Sequence, residues 1–293
     1  MGDPGSRSPG VRVSLPSLSV GLGVVRDPRY LEMRQYLLEI ARYRDLLYML
    51  TWRDIRIKYK QSSMGFMWAI LMPLLIVSAG MLVRYAFSRL SGQPLHGTDI
   101  AMVSVKAVPW AFFVAGVRFS TLSLIANSNL VTKIYFPREL FPLAAVLSQF
   151  FDFAVASAAL AVILAVAGIG ASVQLLWVPL LIVLLLSLVL ALGILLSALA
   201  LFFRDVKYIV EVMLTFGIFF TPVFYDVELF GDWAQILLLN PLAPILEGFG
   251  DCIVHHQAPP LGWLAYSAAF SLGALLLSYK AFKSLEPVFA ENI

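Results

Sequence analysis

Between Asp152 and Arg204 the chain runs for 51 residues without a single Asp, Glu, Lys, Arg or His. One helix of that length would reach about 75 Å at 1.5 Å per residue, far past a hydrocarbon core of about 30 Å. The string Gly168-Ile169-Gly170-Ala171-Ser172 supplies a turn midway. The run therefore divides into two membrane-spanning helices, near 143–168 and 175–203. Composition agrees: 60% of the 293 residues are hydrophobic and 13% charged, against roughly 45–50% and about 25% in a soluble domain. A mean hydropathy of +0.85 leaves too much apolar surface for one soluble core, which excludes a soluble enzyme. The single cysteine, Cys252, excludes an intramolecular disulfide framework and a multi-cysteine metal site.

Four further segments complete the count. Residues 66–83 and 261–279 are clean apolar runs, and residues 208–225 carry only Glu211 inside an apolar stretch. The segment from about 102 to 126 contains Lys106, Pro109 and Arg118, so its assignment rests partly on the need for an even number of crossings between its neighbours. Basic residues set the orientation. Eleven precede residue 61, and Lys133, Arg138, Arg204, Lys207, Lys280 and Lys283 follow in loops of the same side, which accounts for 17 of the 21 Lys and Arg. Asp226, Glu228, Asp232, Glu247 and Asp251 collect on the other side. The positive-inside rule then places both termini in the cytoplasm. Residues 11–25 resemble a short signal-peptide core, but Pro16 interrupts it and no small-residue cleavage pattern follows.

Residues 1–30 read as a loose Gly/Pro/Ser-rich extension. Residues 31–62 read as a cytoplasmic amphipathic helix lying in the interface. There Ile40, Tyr43, Leu47 and Leu50 recur at helical steps, while Arg53, Arg56, Lys58 and Lys60 offer cations to lipid headgroups. A plain orientation anchor explains the same pattern. Residues 63–285 form the spanning domain and 286–293 a cytoplasmic tail. Between residues 233 and 254 the apolar pattern is broken by Asn240-Pro241, Ala243-Pro244, Gly248 and Gly250. Short re-entrant or outward-side helices between the fifth and sixth spans fit better than one crossing. His255 and His256 are adjacent and point in different directions on a helix, which disfavours a metal site.

Charges inside the apolar runs are the candidates for chemistry. Arg84 and Lys106 fall near the outer ends of the first two spans, where long side chains snorkel. Arg118 and Asp152 lie at similar distances from the loop at 128–139, so an interhelical ion pair is expected; alternatively Arg118 meets a pyrophosphate headgroup at an aqueous site. Most aromatic residues suit lipid-facing packing. Trp110, Phe219, Phe220 and Tyr225 are the candidates to line a conduit, since flat amphipathic rings allow sliding without tight binding.

The string Thr51-Trp52-Arg53-Asp54-Ile55-Arg56-Ile57-Lys58-Tyr59-Lys60-Gln61-Ser62-Ser63-Met64-Gly65-Phe66-Met67-Trp68 resembles the start of type-2 ABC exporter permeases of the O-antigen, capsule and teichoic-acid class. The likeness continues through Asn129-Leu130-Val131-Thr132-Lys133-Ile134-Tyr135-Phe136-Pro137-Arg138-Glu139-Leu140, Phe203-Arg204-Asp205-Val206-Lys207-Tyr208, and Phe220-Thr221-Pro222-Val223-Phe224-Tyr225 with Asn240-Pro241. It covers roughly residues 36–285. By residue chemistry alone, 129–140 is a loop with basic anchors stiffened by Pro137. The resemblance makes it the coupling helix, with Thr132, Lys133, Tyr135, Phe136, Pro137, Arg138 and Glu139 meeting the nucleotide-binding subunit. It makes Arg204, Asp205 and Lys207 a second contact, although so short a loop could serve only to turn the chain.

No phosphate-cradling Gly-x-x-x-x-Gly-Lys-Ser/Thr loop is present, and Leu90-Ser91-Gly92-Gln93, a weak likeness of the ABC signature, falls on the wrong side of the membrane. ATP and Mg are thus expected on a partner ATPase; this chain carries no catalytic residues, cofactor or metal. The expected whole is an all-α integral membrane permease of six transmembrane helices in the bacterial inner membrane. The resemblance and mechanism together imply a homodimer with two ATPase chains, exporting a lipid-linked polysaccharide and binding no nucleic acid. A same-fold permease for a drug or lipid is the nearest rival. An integral-membrane polyprenyl-phosphate transferase would need clustered carboxylates or His at one face, which the scattered acids and outward His96, His255 and His256 do not provide.

Overall fold

A computed structural model describes residues 42–60, 65, 67–91, 96–133 and 136–291. Among these the chain is helical throughout, without strands. Helix α1 spans Arg44–Lys60, with Asp45 in its first turn and Lys58 and Lys60 in its last, which suits the helix dipole at both ends. α2 (Met67–Ser91) and α3 (Gly97–Ala126) follow. The Asp99 carboxylate accepts the His96 backbone N–H at 2.9 Å and fixes the start of α3. A six-residue helix α4 (Ser128–Lys133) leads through a turn into α5 (Leu140–Val166).

α5 ends in a Schellman motif: Gly168 has φ +81, its N–H bonds Ala165 O at 3.2 Å and that of Ile169 bonds Leu164 O at 3.0 Å. The turn expected inside the uncharged run is therefore built by Gly168, as the sequence suggests. A 3₁₀ turn (Val173–Trp177) then starts α6 (Val178–Phe202). α7 (Val206–Gly217) is short and is followed by 3₁₀ turns at Ile218–Phe220 and Val227–Trp233, then α8 (Ala234–Leu238), α9 (Ala243–Gly250) and a π-turn at Asp251–His255. α10 (Leu261–Leu285) closes with a 3₁₀ turn at Glu286–Glu291.

Four described helices are long and apolar enough to cross a membrane: Gly97–Ala126, Leu140–Val166, Val173–Phe202 and Leu261–Phe289, with a shorter apolar stretch, Ile70–Ala86, inside α2. The segment near 102–126 is the most buried of the four and packs against α2, α5, α6, α7 and α9. Small residues let α3 and α6 approach: a Cβ on Gly193 would stand 2.4 Å from Ser120 Oγ, and one on Gly116 2.6 Å from Val189 Cγ1. The fifth apolar run differs from a simple span. Its helix has 12 residues, about 18 Å of rise, before the chain turns at Thr221–Tyr225.

Two buried clusters hold the bundle together. One gathers Trp110, Phe112, Phe153, Leu188, Ile245 and Phe249. The other joins Leu50, Leu124, Val131, Leu140, Phe282 and Phe289, drawn from α1, α3, α4, α5, α10 and the final turn.

Candidate functional site

At the end where α3 finishes and α5 begins, the candidate coupling loop is anchored inward. Arg138 donates to Glu286 O at 2.7 Å and lies 5.7 Å from the Phe289 ring centroid. Glu139 is 1% exposed and pairs with Lys283 at 2.9 Å, while Lys283 also reaches Glu286 at 3.0 Å. Burial pushes the Glu139 carboxyl above its ordinary value, only partly countered by the Lys283 ammonium. Pro137 is buried and Phe136, half-buried, packs on Phe141 at 5.3 Å. Glu139 is thus not displayed for docking as the sequence reading had it. Tyr135 and the side chains of Thr132 and Lys133 lie outside the described residues. Arg204, Asp205 and Lys207 are exposed at the α6–α7 turn of the same end, with Lys207 4.7 Å from the Tyr208 ring centroid.

Deeper in the bundle the charges pair otherwise than expected. Arg118 forms a two-pronged bond with Glu211 of α7, at 2.8 Å and 2.6 Å, and Asp152 takes Lys58 and Tyr59 of α1. The reason is angular. Phe112 meets Phe150 and Phe153 of α5, and Arg118, six residues on, is turned about 120° away at 100° per residue. It therefore faces α7 and not Asp152. Lys58, held also by Gln149 at 2.9 Å, is an internal ligand of α5, unlike the headgroup-facing role the sequence suggested. Burial and the Asp152 carboxylate raise the Tyr59 phenol well above its ordinary value, so it stays a neutral donor.

The rest of α1 presents an outward groove of about 410 Å³ lined by Tyr48, Trp52, Arg53, Arg56, Ile57 and Lys60. In it Tyr48 and Trp52 stack at 6.4 Å, and Arg56 lies 5.3 Å from the Trp52 centroid.

At the opposite end the expected snorkelling of Arg84 and Lys106 does not occur. Lys106 is 1% exposed and bonds Glu247 at 2.8 Å and Asp226 at 3.2 Å. Arg84 bridges Asp99 and Asp226. Burial alone would raise the Asp226 carboxyl, but Lys106 and then Arg84 outweigh it and hold it below the usual range; at Glu247 burial prevails over Lys106 and the shift is upward. The irregular segment beyond is satisfied by protein: Asn240 Nδ2 donates to Thr221 Oγ1 at 3.0 Å, and Ser267 Oγ to Pro241 O at 2.8 Å.

Of the conduit candidates, Trp110 is buried against Phe113, which removes it from any lining. Phe219 and Phe220 are exposed, and Tyr225 donates its hydroxyl to Phe219 O at 2.9 Å. Sequence reasoning missed Glu211, Glu247, Asp226 and Lys283 as partners. Each had been visible only as a charge in or beside an apolar run.

Residues 45–253 match the family model of the ABC-2 type transporter. The chain belongs to the ABC-2 type transporter family. Three O-antigen export system permease proteins RfbA are similar along most of their length. The one from Myxococcus xanthus is 29% identical over 259 residues, 87% of this chain and 98% of that one. Two from Klebsiella pneumoniae are 26% identical over 251 residues (84% and 94% of the respective chains) and 28% identical over 213 residues (72% and 81%). Membership in the ABC-2 family implies a membrane protein that pairs with an ABC nucleotide-binding subunit.

Proposed function

We propose that this chain is the transmembrane subunit of an ATP-driven exporter carrying a lipid-linked, O-antigen-like polysaccharide out of the cytoplasm across the bacterial inner membrane. Two copies pair with two ATPase chains, each copy crossing six times with α2 and the short α7 completing the count and both termini cytoplasmic. The observation that carries the reading is the match to O-antigen export permeases over most of the chain, up to 87% of it.

The Arg118–Glu211 pair supports it from the geometry. These side chains are 37% and 52% exposed, yet Arg118 stands eight residues before the end of α3, about 12 Å into the helix. A charged pair facing hydrocarbon at that depth is costly, so this face meets water or a polar partner. Exposed Met213, Phe216, Phe219 and Phe220 follow on α7 and its turn, adding apolar and aromatic surface beyond the charged step. On this reading the α1 groove, with Arg53, Arg56 and Lys60, receives headgroups at the cytoplasmic surface. The loop at 132–139 and Arg204, Asp205 and Lys207 meet the ATPase.

Reconstitution with its ATPase in vesicles containing a polyprenyl-diphosphate-linked glycan tests this. ATP-dependent appearance of glycan on the far side is expected. ATP turnover stimulated by small amphipathic drugs or phospholipid, with no glycan moved, would favour the rival same-fold exporter. Turnover indifferent to Arg138→Ala would remove the coupling assignment.

A further inference from the structure

The 3₁₀ turn Glu286–Glu291 after α10 is packed as part of the coupling end and does not trail from it. Phe289 is fully buried, with its ring 5.2 Å from Phe282 and 5.9 Å from Phe202. Arg138 caps the turn from the other side, its guanidinium bonded to Glu286 O and set over the Phe289 ring. Beside it the buried Glu139 carboxylate, the Lys283 ammonium and the Glu286 carboxylate form a chain of ion pairs at 2.9 Å and 3.0 Å. Arg138 and Glu139 immediately precede α5, and Lys283 lies in the last turn of α10. Two sequence-distant helices are thereby clamped at the point where a push on the loop would arrive.

We propose that the Glu286–Glu291 turn and Lys283 are positioning parts of the energy-coupling machinery, making the loop at 128–139 and the end of α10 move as one body when the ATPase subunit closes. The inference rests on the reading of that loop as the motor contact and extends it to the turn and the end of α10 that are bonded to the loop. A buried charge pair with a third, competing carboxylate is a poor choice for stability alone, because an apolar pair of similar volume is commonly as stable. Its value lies in direction: Lys283 cannot leave Glu139 without stranding a buried charge, so displacement of α5 is passed to α10 and not absorbed in the loop.

Hydrogen exchange on the native complex with its ATPase, with and without a non-hydrolysable ATP analogue, reads this directly. Peptides covering 128–141 and 283–291 are expected to change together, each by about threefold or more. A change in the first with none in the second overturns the inference while leaving the coupling loop intact; no change in either overturns both.

Export assays supply the second arm. Lys283→Met is expected to lower glycan export about tenfold with the ATPase still co-purifying, while Lys283→Arg, which keeps the ion pair, stays within about twofold of native. The double variant Glu139→Gln with Lys283→Met, which leaves no fully buried charge and only the partly exposed Glu286 carboxylate without its cation, should stay uncoupled. Native export by the double variant would reduce the cluster to a packing role.

Discussion

At the scale of single residues, the charges matter through what they are prevented from doing. Lys106 sits in a helix otherwise rich in Val and Ala, and its ammonium is enclosed by Glu247 and Asp226. Lys106→Met leaves the Glu247 carboxylate without its cation and Asp226 with Arg84 alone, and the loss of thermal stability in detergent is expected to be about 3–5 kcal/mol, as for one partner removed from a buried pair. A loss below about 1 kcal/mol would mean that water already reaches the cluster. Asp226 gives the pH counterpart. Its carboxyl is held below the ordinary range, so it contributes stability that is fully present above the ordinary Asp value of about 4 and fades as pH falls through the lowered one. The difference in melting temperature between native and Asp226→Asn should therefore be largest near neutrality and close in acid. A gap that widened on acidification would contradict the assignment of Lys106 and Arg84 as the groups that hold the shift.

At the scale of elements, α3 is the helix on which α2, α5, α6, α7 and α9 pack, and it meets α6 closely only through small residues. Gly193→Ala in α6 drives a methyl to 2.4 Å from Ser120 Oγ and 2.8 Å from its Cβ, and is expected to cost about 1–3 kcal/mol. Removing both atoms with Ser120→Gly should recover most of that, so that in a thermal-unfolding cycle the double variant loses less than the sum of the singles. Strict additivity would show that the helices part instead of clashing.

The same helix marks how far the sequence could be read. The uncharged run between Asp152 and Arg204 announced α5, α6 and the Gly168 turn, because hydropathy and a glycine of positive φ are local signals. Lys106, Pro109 and Arg118 made α3 look interrupted, although they lie in the most buried span. Their partners Asp226, Glu247 and Glu211 are more than 90 positions away, and nothing local indicates which face of a helix they will meet. The expected Arg118–Asp152 pair failed for this reason: depth is legible from spacing, but azimuth depends on how α3 packs between α5 and α7. The α7 run looked like one continuous helix because hydropathy does not register that the helix gives way before Thr221-Pro222.

At the scale of the whole molecule, the two ends of the bundle are tied differently from its middle. One end is fixed by the Arg84, Asp99, Lys106, Asp226 and Glu247 cluster and the other by Glu139, Lys283 and Glu286, both largely buried. Between them the Arg118–Glu211 step is open on the surface, next to exposed aromatic residues of α7. If two copies enclose an aqueous path, this face lines it, whereas the exposed apolar residues of α5 and α10 face lipid. The two environments differ in thiol chemistry, since a thiolate forms in water and scarcely at all in hydrocarbon. Cysteines introduced by Thr215→Cys, one turn beyond Glu211, and by Val162→Cys and Leu277→Cys on α5 and α10 report on each. The native Cys252 contributes little background, being fully buried, with its thiol pushed up to about 11 by burial and by Asp251. In the assembled transporter at pH 7, a water-soluble maleimide should label the Thr215 variant at least about tenfold faster than the other two. ATP binding should change the rate at residue 215 alone, because only the conduit wall exchanges its surroundings during the cycle. Equal labelling at all three sites would mean that α7 faces lipid, and the Arg118–Glu211 pair would then need a polar partner other than the transported polymer.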